Sequence, residues 1–293
     1  MVIGILANPH KSGAVGIVQT LRSALKARGI EVVLDTQAAA MLGEQGGREA
    51  GEFRDVVDLA AVIGGDGTML HAVSRLGDFG KPVAGVNAGT LGFLTTCKDD
   101  EIEVFADALA AKQFTTSERT LLVASVMKGG EVIAEFTALN EITLARGQTG
   151  RLVSLGVRVG GEMLNEYRAD GLIVGTPTGS TAYSLSAGGP LIAPGAAVFV
   201  VSPICPHSLS QRALVLADDC EIELEANESE DPGPMLFTVD GRDVVRIEPG
   251  QRVLVRKSPR KFRLVRLVGS SFFQALRQKL GWEGVRVPGK PGS

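Results

Sequence analysis

VIGGDGTML, residues Val62–Leu70, joins the end of an apolar run to the start of a helix-like one through three glycines and a single acid. Leu59 to Ile63 reads as a buried strand, and Thr68 to Leu76 carries helical spacing. A strand that turns into a helix within five residues is the unit from which parallel sheets are built. The same alternation flanks it on both sides. Val2 to Ala7 is a continuous apolar run stopped by Asn8-Pro9, and Ile17, Val18, Leu21 and Leu25 then repeat at helical spacing between Val15 and Arg28, before Gly29. Ile30 to Leu34 and Val83 to Val86 read as further strands. The first part of the chain is therefore expected to be an α/β domain with a parallel sheet, its ligands lying beyond the carboxyl ends of the strands. Gln37 to Gly51, rich in Ala, Gly and Glu, is the best candidate for a mobile loop.

Past Lys98 the pattern changes. Glu101 to Lys112 is helix-like, but Leu121 to Met127, the turn Lys128-Gly129-Gly130, Val132 to Leu139 and Leu152 to Val159 read as hairpin strands. Val198 to Val255 continues as short strands between Pro, Gly and Asp turns, which predicts an antiparallel, largely β second domain. Phe272, Phe273, Leu276 and Leu280 return to helical spacing, so a last helix over Ser271 to Leu280 is expected to dock on the first domain. The expected division is 1–98 together with 265–293, against 99–264.

The 293 residues suffice for one large or two moderate domains. With 44% hydrophobic and 22% charged residues, no apolar run reaches the roughly 18 needed to span a membrane. The apolar N-terminus has no basic n-region, so it reads as a first strand, and the protein is expected to be soluble and cytoplasmic, with no membrane partner. A formal charge of −3 with both signs interspersed gives no field for gripping nucleic acid. Cys97, Cys205 and Cys220 are widely spaced and form no CxxC, so neither a disulfide framework nor a zinc site follows. The sequon Asn227-Glu228-Ser229, without a secretory signal, reads as chance.

In Gly64-Gly65-Asp66-Gly67-Thr68 the glycines permit φ > 0 and close backbone approach, while the helix start offers unpaired N–H groups and partial positive charge. A tight turn with Asp66 or Thr68 as N-cap would account for a Gly-Gly pair alone. The combination reads as a phosphate cradle. Neither the P-loop GxxxxGK[ST] nor the dinucleotide GxGxxG is present, so phosphate charge must be balanced elsewhere. That predicts a divalent ion, Mg2+, carried in with a nucleoside triphosphate, and no metal ligand is assigned to the protein. Asp66, an anion beside phosphates, is expected to accept a hydrogen bond from an attacking hydroxyl, as positioner and base.

A second constellation is DGLIVGTPTGSTAYSLSAGGP, residues 170–190. Leu172 to Val174 is a buried strand, Thr176 to Thr181 supplies hydroxyls and backbone donors, and Ala182 to Ala187 is helix-like. A sugar or phosphate could be held there, and a Ser/Thr-rich loop with local caps fits as well. Asn140-Glu141 upstream, bracketed by apolar residues, reads by itself as a turn or strand end.

Together these residues resemble the NAD kinases. The resemblance is carried by Gly64-Gly65-Asp66-Gly67-Thr68, Asn140-Glu141 and Asp170-Gly171 followed by Thr176 to Tyr183, and it extends from NPHK at Asn8 through SPICPHSL (Ser202–Leu209) to VDG (Val239–Gly241). GGDGT is shared with diacylglycerol-type lipid kinases and phosphofructokinases; the 170–190 block is specific. The resemblance implies an α+β two-domain fold, with an N-terminal Rossmann-like α/β domain, a β-rich, sandwich-like C-terminal domain and the site between them. It implies transfer of the γ-phosphate of ATP to the 2′-hydroxyl of the adenosine ribose of NAD, with Asp66 acting on that hydroxyl and Gly64, Gly65, Gly67 and Thr68 at the phosphates. Asn140 would bind adenine, Glu141 the ribose hydroxyls and Asp170 the nicotinamide riboside. Thr178, Thr181, Ala182 and Tyr183 would line the adenine pocket, with Ser186 near the nicotinamide half. Arg168 matches a position associated with preferring NAD over NADH. Family members are homo-oligomers, so a homodimer or homotetramer is implied. Two other readings are a lipid or sugar kinase on the same cradle, which would need a lipid pocket or an arginine clamp, and a silent dinucleotide-binding regulator, which loss of Asp66 would suggest.

Overall fold

A computed structural model of the chain describes residues 1–87, 89, 92–147, 153–208, 210–226 and 235–282. The sequon at 227–229, Leu152, Leu209 and the tail from 283 lie outside them. The chain divides into two compact units. The first comprises Met1–Met69, Pro82–Thr116 and the residues from Leu264 onward; the second comprises Leu70–Lys81 and Ser117–Arg263.

In the first unit the strands stand in the order Glu31–Leu34, Val2–Ala7, Leu59–Ile63, Val83–Asn87, all parallel. Leu59–Ile63 is buried along its whole length, as a strand covered on both faces must be. The helix Ala14–Ala27 presents Leu21 and Leu25, both at 0% exposure and one turn apart, to a core shared with Ile3, Ile5, Ile63, Phe105 and Val265. Burying each leucine is worth roughly 1.5–3 kcal/mol. The last helix, Phe272–Leu280, starts on Ser271, whose hydroxyl accepts from Gln274 N–H, and its Phe272 ring lies 6.2 Å from Phe93.

The stretch from Gln37 to Gly51 departs from expectation at its two ends, while residues 42–49 between them are without helix. Thr36–Met41 is helical, capped by the Asp35 carboxylate at 2.7 Å from Ala38 N, and Ala50–Glu52 forms a 3-10 turn. Ala38 and Ala39 are buried, so the alanines that suggested a small-residue loop serve helix propensity and packing instead.

The second unit is built on antiparallel strand pairs. One sheet contains Glu162–Ala169, Val153–Val159, Ile222–Ala226 and the start of Gln251–Leu267, to which the hairpin Phe114–Lys128 with Glu131–Ala138 adds. The other runs Leu214–Ala217, Val198–Ile204, Gly171–Gly175, Glu141–Ala145, Met235–Val239, Arg242–Ile247. Leu155, Val157 and Leu224 from the first sheet meet Leu144, Leu172, Val174 and Phe237 from the second in one core, which makes the unit a sandwich. Among the described residues no helix is long and apolar enough to cross a membrane.

One glycine measures how tightly the first unit is packed. A Cβ on Gly4 would overlap the fully buried Phe53 ring and lie 3.0 Å from Val57 Cγ1. Gly4→Ala is therefore expected to destabilise the fold by about 1–3 kcal/mol, read as a lowered urea midpoint.

Candidate functional site

The GGDGT segment sits where a buried strand ends. Gly64 N–H still pairs with Val86 O at 2.9 Å, and the helix Asp66–Leu76 begins two residues later. Gly64 is needed by the fold itself, because its φ is 149° and a Cβ there would overlap the Thr68 side chain. Gly65 and Gly67 differ. A Cβ at Gly65 would make only an ordinary 3.5 Å contact with Asn87 Oδ1, and one at Gly67 would meet nothing within 4 Å. The protein leaves open space over the helix start, which is the shape an anion cradle requires.

Asp66 does not cap its own helix, as the plainest reading of the turn would have it. Its Oδ2 accepts from Phe93 N–H at 3.0 Å and its Oδ1 from Leu94 N–H at 2.9 Å. The donors belong to a turn in which Thr95 Oγ1 accepts from Gly92 N–H at 2.7 Å. Gly92 has to be glycine, since a Cβ would overlap the Asp66 carboxylate. A carboxylate has about four lone-pair directions, so each oxygen of Asp66 retains one with which to accept a hydroxyl proton. Thr68 lies within the helix. Nothing in the motif pointed to residues 92–94, because their contribution is backbone; the only signal was a glycine between apolar neighbours.

The second unit gathers Asn140, Glu141 and the 176–183 segment. The Asp240 carboxylate, on a residue with φ 49°, accepts from the N–H groups of Leu139 (2.9 Å), Asn140 (2.7 Å) and Glu141 (3.1 Å), and Asp240 N–H returns a bond to Glu141 O. Thr176 completes the brace: its hydroxyl donates to Leu139 O at 2.6 Å and its N–H to Asn140 O at 2.8 Å. Gly179 packs so closely that a Cβ would overlap Asn140 O and approach Glu141 Oε2. With the backbone so satisfied, Asn140 Oδ1, Glu141 Oε2 and Thr178 Oγ1 are buried yet have no hydrogen-bond partner among the described residues. Buried polar atoms rarely go unpaired, so three at one corner mark a place for a ligand. Burial first, and the Asp240 charge second, push the Glu141 carboxyl up to about 8. Asp240 is itself raised by burial, against the pull of its three amides and of Arg242.

The remaining residues divide. Thr181 is half-buried, its hydroxyl donating to Thr178 O; Ala182 is half-buried too, whereas Tyr183 and Ser186, on the short helix Tyr183–Ser186, are exposed. Asp170 and Arg168 are elsewhere. Gly175 pairs with Glu141 but Gly171 with Ala145, so Asp170 stands at the far end of the strand, about 15–20 Å from Asn140 at 3.3 Å per residue. There its carboxylate pairs with Arg146 Nε at 3.2 Å, and Arg168 O accepts from His207 N–H. All five residues of the intervening strand are buried.

Residues 3–114 match the ATP-NAD kinase N-terminal domain and residues 139–267 the ATP-NAD kinase C-terminal domain. The NAD kinase of Symbiobacterium thermophilum is 40% identical over 277 residues, 94% of this chain and 97% of that one. That of Syntrophotalea carbinolica is 36% identical over 281 residues, covering 96% and 98%. Among solved structures, yeast NADH kinase complexed with NADH superposes with a TM-score of 0.88 at 25% identity, over 99% of this chain and 90% of that one. An NAD kinase from Archaeoglobus fulgidus in complex with ATP gives 0.75 at 26% identity, over 97% and 100%.

The raised Glu141 makes a stability statement. Between the ordinary 4.5 and about 8 the native state binds more protons than the unfolded one, so stability falls as pH rises through that window. Glu141→Gln, which cannot ionise, is expected to gain on the wild type with pH, by roughly 2–4 kcal/mol at alkaline pH. Denaturant melts of the ligand-free proteins at pH 5 and pH 8.5 measure it; a constant difference would contradict it.

Proposed function

The chain belongs to the NAD kinase family, and on that premise we propose that Asp66 acts on the 2′-hydroxyl of the adenosine ribose of NAD while the γ-phosphate of ATP is transferred to it. The protein is a kinase that phosphorylates NAD with ATP. In the step, the ribose 2′-oxygen bonds to the γ-phosphorus, the bond to the β–γ bridging oxygen breaks, ADP leaves, and the hydroxyl proton passes to Asp66. The transition state is loose, so aligning the hydroxyl matters as much as removing its proton. The observation that carries this assignment is a carboxylate fixed by two amides, with a free lone pair on each oxygen, beside helix-start glycines that no protein neighbour requires.

Gly64, Gly65, Gly67 and Thr68 then approach phosphate oxygens. Asn140 pairs with the adenine edge and Glu141 with ribose hydroxyls; both carry orphaned oxygens. Thr178, Thr181, Ala182 and Tyr183 line the adenine side, where the exposed Tyr183 ring offers a stacking face, and Ser186 lies toward the nicotinamide half. Among the described residues no three His, Cys, Asp or Glu side chains converge on a metal. A divalent ion, Mg2+, carried in with the triphosphate would neutralise its charge, and no residue here is given the task of binding it.

Arg168 and Asp170 need a separate account. They stand at the opposite end of a wholly buried strand from Asn140, about 15–20 Å away. A homodimer or homotetramer, in the cytoplasm, in which Asp170 of one copy serves the nicotinamide side of another's site, reconciles their assignment with this separation.

The deciding assay gives purified protein NAD, ATP and magnesium and reads NADP through a coupled dehydrogenase; no NADP would sink the assignment. Asp66→Asn is expected to keep NAD binding while turnover falls by roughly 10²- to 10⁴-fold; unchanged turnover would remove Asp66 from the mechanism. For the shared site, Asp66→Asn and Asp170→Asn are each expected to be impaired alone and to recover turnover when co-assembled, because mixed assemblies contain sites with both aspartates intact. Co-assembled protein no better than the two variants measured separately would refute the sharing.

A further inference from the structure

The amides that hold Asp66 are themselves held. Phe93 O, on the same peptide unit as the Leu94 N–H that donates to Asp66 Oδ1 at 2.9 Å, accepts from Arg266 Nη2 at 3.1 Å. A trans peptide is planar, with its C=O and N–H pointing in opposite directions, so fixing the oxygen fixes where the N–H aims. Drawing electron density toward the oxygen also makes that N–H a better donor, so the two hydrogen bonds reinforce each other. Arg266 is well placed for this task. It lies near the end of the strand Gln251–Leu267, and the neighbouring Val265 O accepts from Thr96 Oγ1 at 3.0 Å, a hydroxyl that in turn accepts from Gly85 N–H. The strand end is thus tied to the same loop that supplies the donors. Burial disfavours the guanidinium charge, and the negative charge of Asp66 acts against that penalty.

We infer that Arg266 is a positioning residue for phosphoryl transfer, orienting the Phe93–Leu94 peptide so that its N–H aims the Asp66 carboxylate at the acceptor hydroxyl. Its effect on turnover therefore passes through Asp66, and the inference rests on the role given to Asp66 above. Arginine suits the position because its planar fork keeps donors available in a fixed geometry, whereas a lysine would supply the charge with one mobile ammonium.

The test is a double-mutant cycle in kcat and KM, with thermal midpoints recorded for each protein. Arg266→Met is expected to lower kcat by about 10- to 100-fold, the scale of a sub-ångström to 1 Å misplacement, with KM for NAD within about twofold. Arg266→Lys is expected to fall between Met and the wild type. In the Asp66→Asn background, Arg266→Met is expected to cost less than about twofold, because the group it positions has lost its function. A full repeat of the loss in that background, a wild-type kcat for Arg266→Met, or a raised KM with kcat unchanged would each overturn the inference. Should Arg266→Met fail to fold, Arg266→Lys goes through the same cycle with the same criterion. The two levels separate cleanly: Asp66→Asn with wild-type turnover defeats the role of Asp66 and the inference with it, whereas an impaired Asp66→Asn with an additive Arg266 effect defeats the inference alone.

Discussion

Two backbone amides on one carboxylate organise the first unit's chemistry. An aspartate at the start of a helix ordinarily turns back to satisfy its own helix, which would bury its lone pairs in a cap. Here the Phe93 and Leu94 N–H groups draw Asp66 the other way. That geometry needs glycine at 92, where any side chain would collide with the carboxylate, and a turn closed through Thr95. Asp66 is thus turned away from its own helix start, as the proposed phosphate cradle requires.

The second unit solves a related problem with the polarities reversed. Asp240 is a carboxylate used as a frame, ordering three consecutive N–H groups from a backbone of positive φ. Burial raises both Asp240 and Glu141, the Asp240 charge adds to the rise of Glu141, and Glu141 Oε2 has no partner among the described residues. A site of this kind is poorly satisfied when empty. Its unpaired polar atoms favour a ligand rich in hydrogen-bonding groups over an apolar one of the same size, which is discrimination by the cost of leaving buried polar atoms unmatched.

The parallel α/β part and the antiparallel β part were legible because burial imposes periodicity on side chains, and periodicity is what a sequence displays. Leu59–Ile63 and the last helix, Phe272–Leu280, stand where the pattern put them. The residues named for the site stand out in the sequence as a glycine cluster, by side-chain chemistry or by the family resemblance, whereas residues that assist only through a backbone N–H carry no such mark. Phe93 and Leu94 contribute N–H groups that every residue but proline possesses. Gln37 to Gly51 misled for a similar reason, its alanines being equally at home in a loop and in a helix until Ala38 and Ala39 are seen to be buried. The 170–183 block shows how continuity along the chain hides separation in space. It looks like one motif along the chain, yet a fully extended strand separates Asp170 from Thr178, and only register shows which end each occupies.

The glycines of the helix start set two physical demands against each other. Glycine within a helix costs about 0.5–1 kcal/mol relative to alanine, and at position 67 nothing nearby would obstruct a methyl group. The fold would be sturdier with alanine there. On the proposed function, Gly67 is a point at which this protein trades robustness for room to work, and a search for hardier variants judged by melting temperature alone would be drawn toward filling the space proposed for a phosphate.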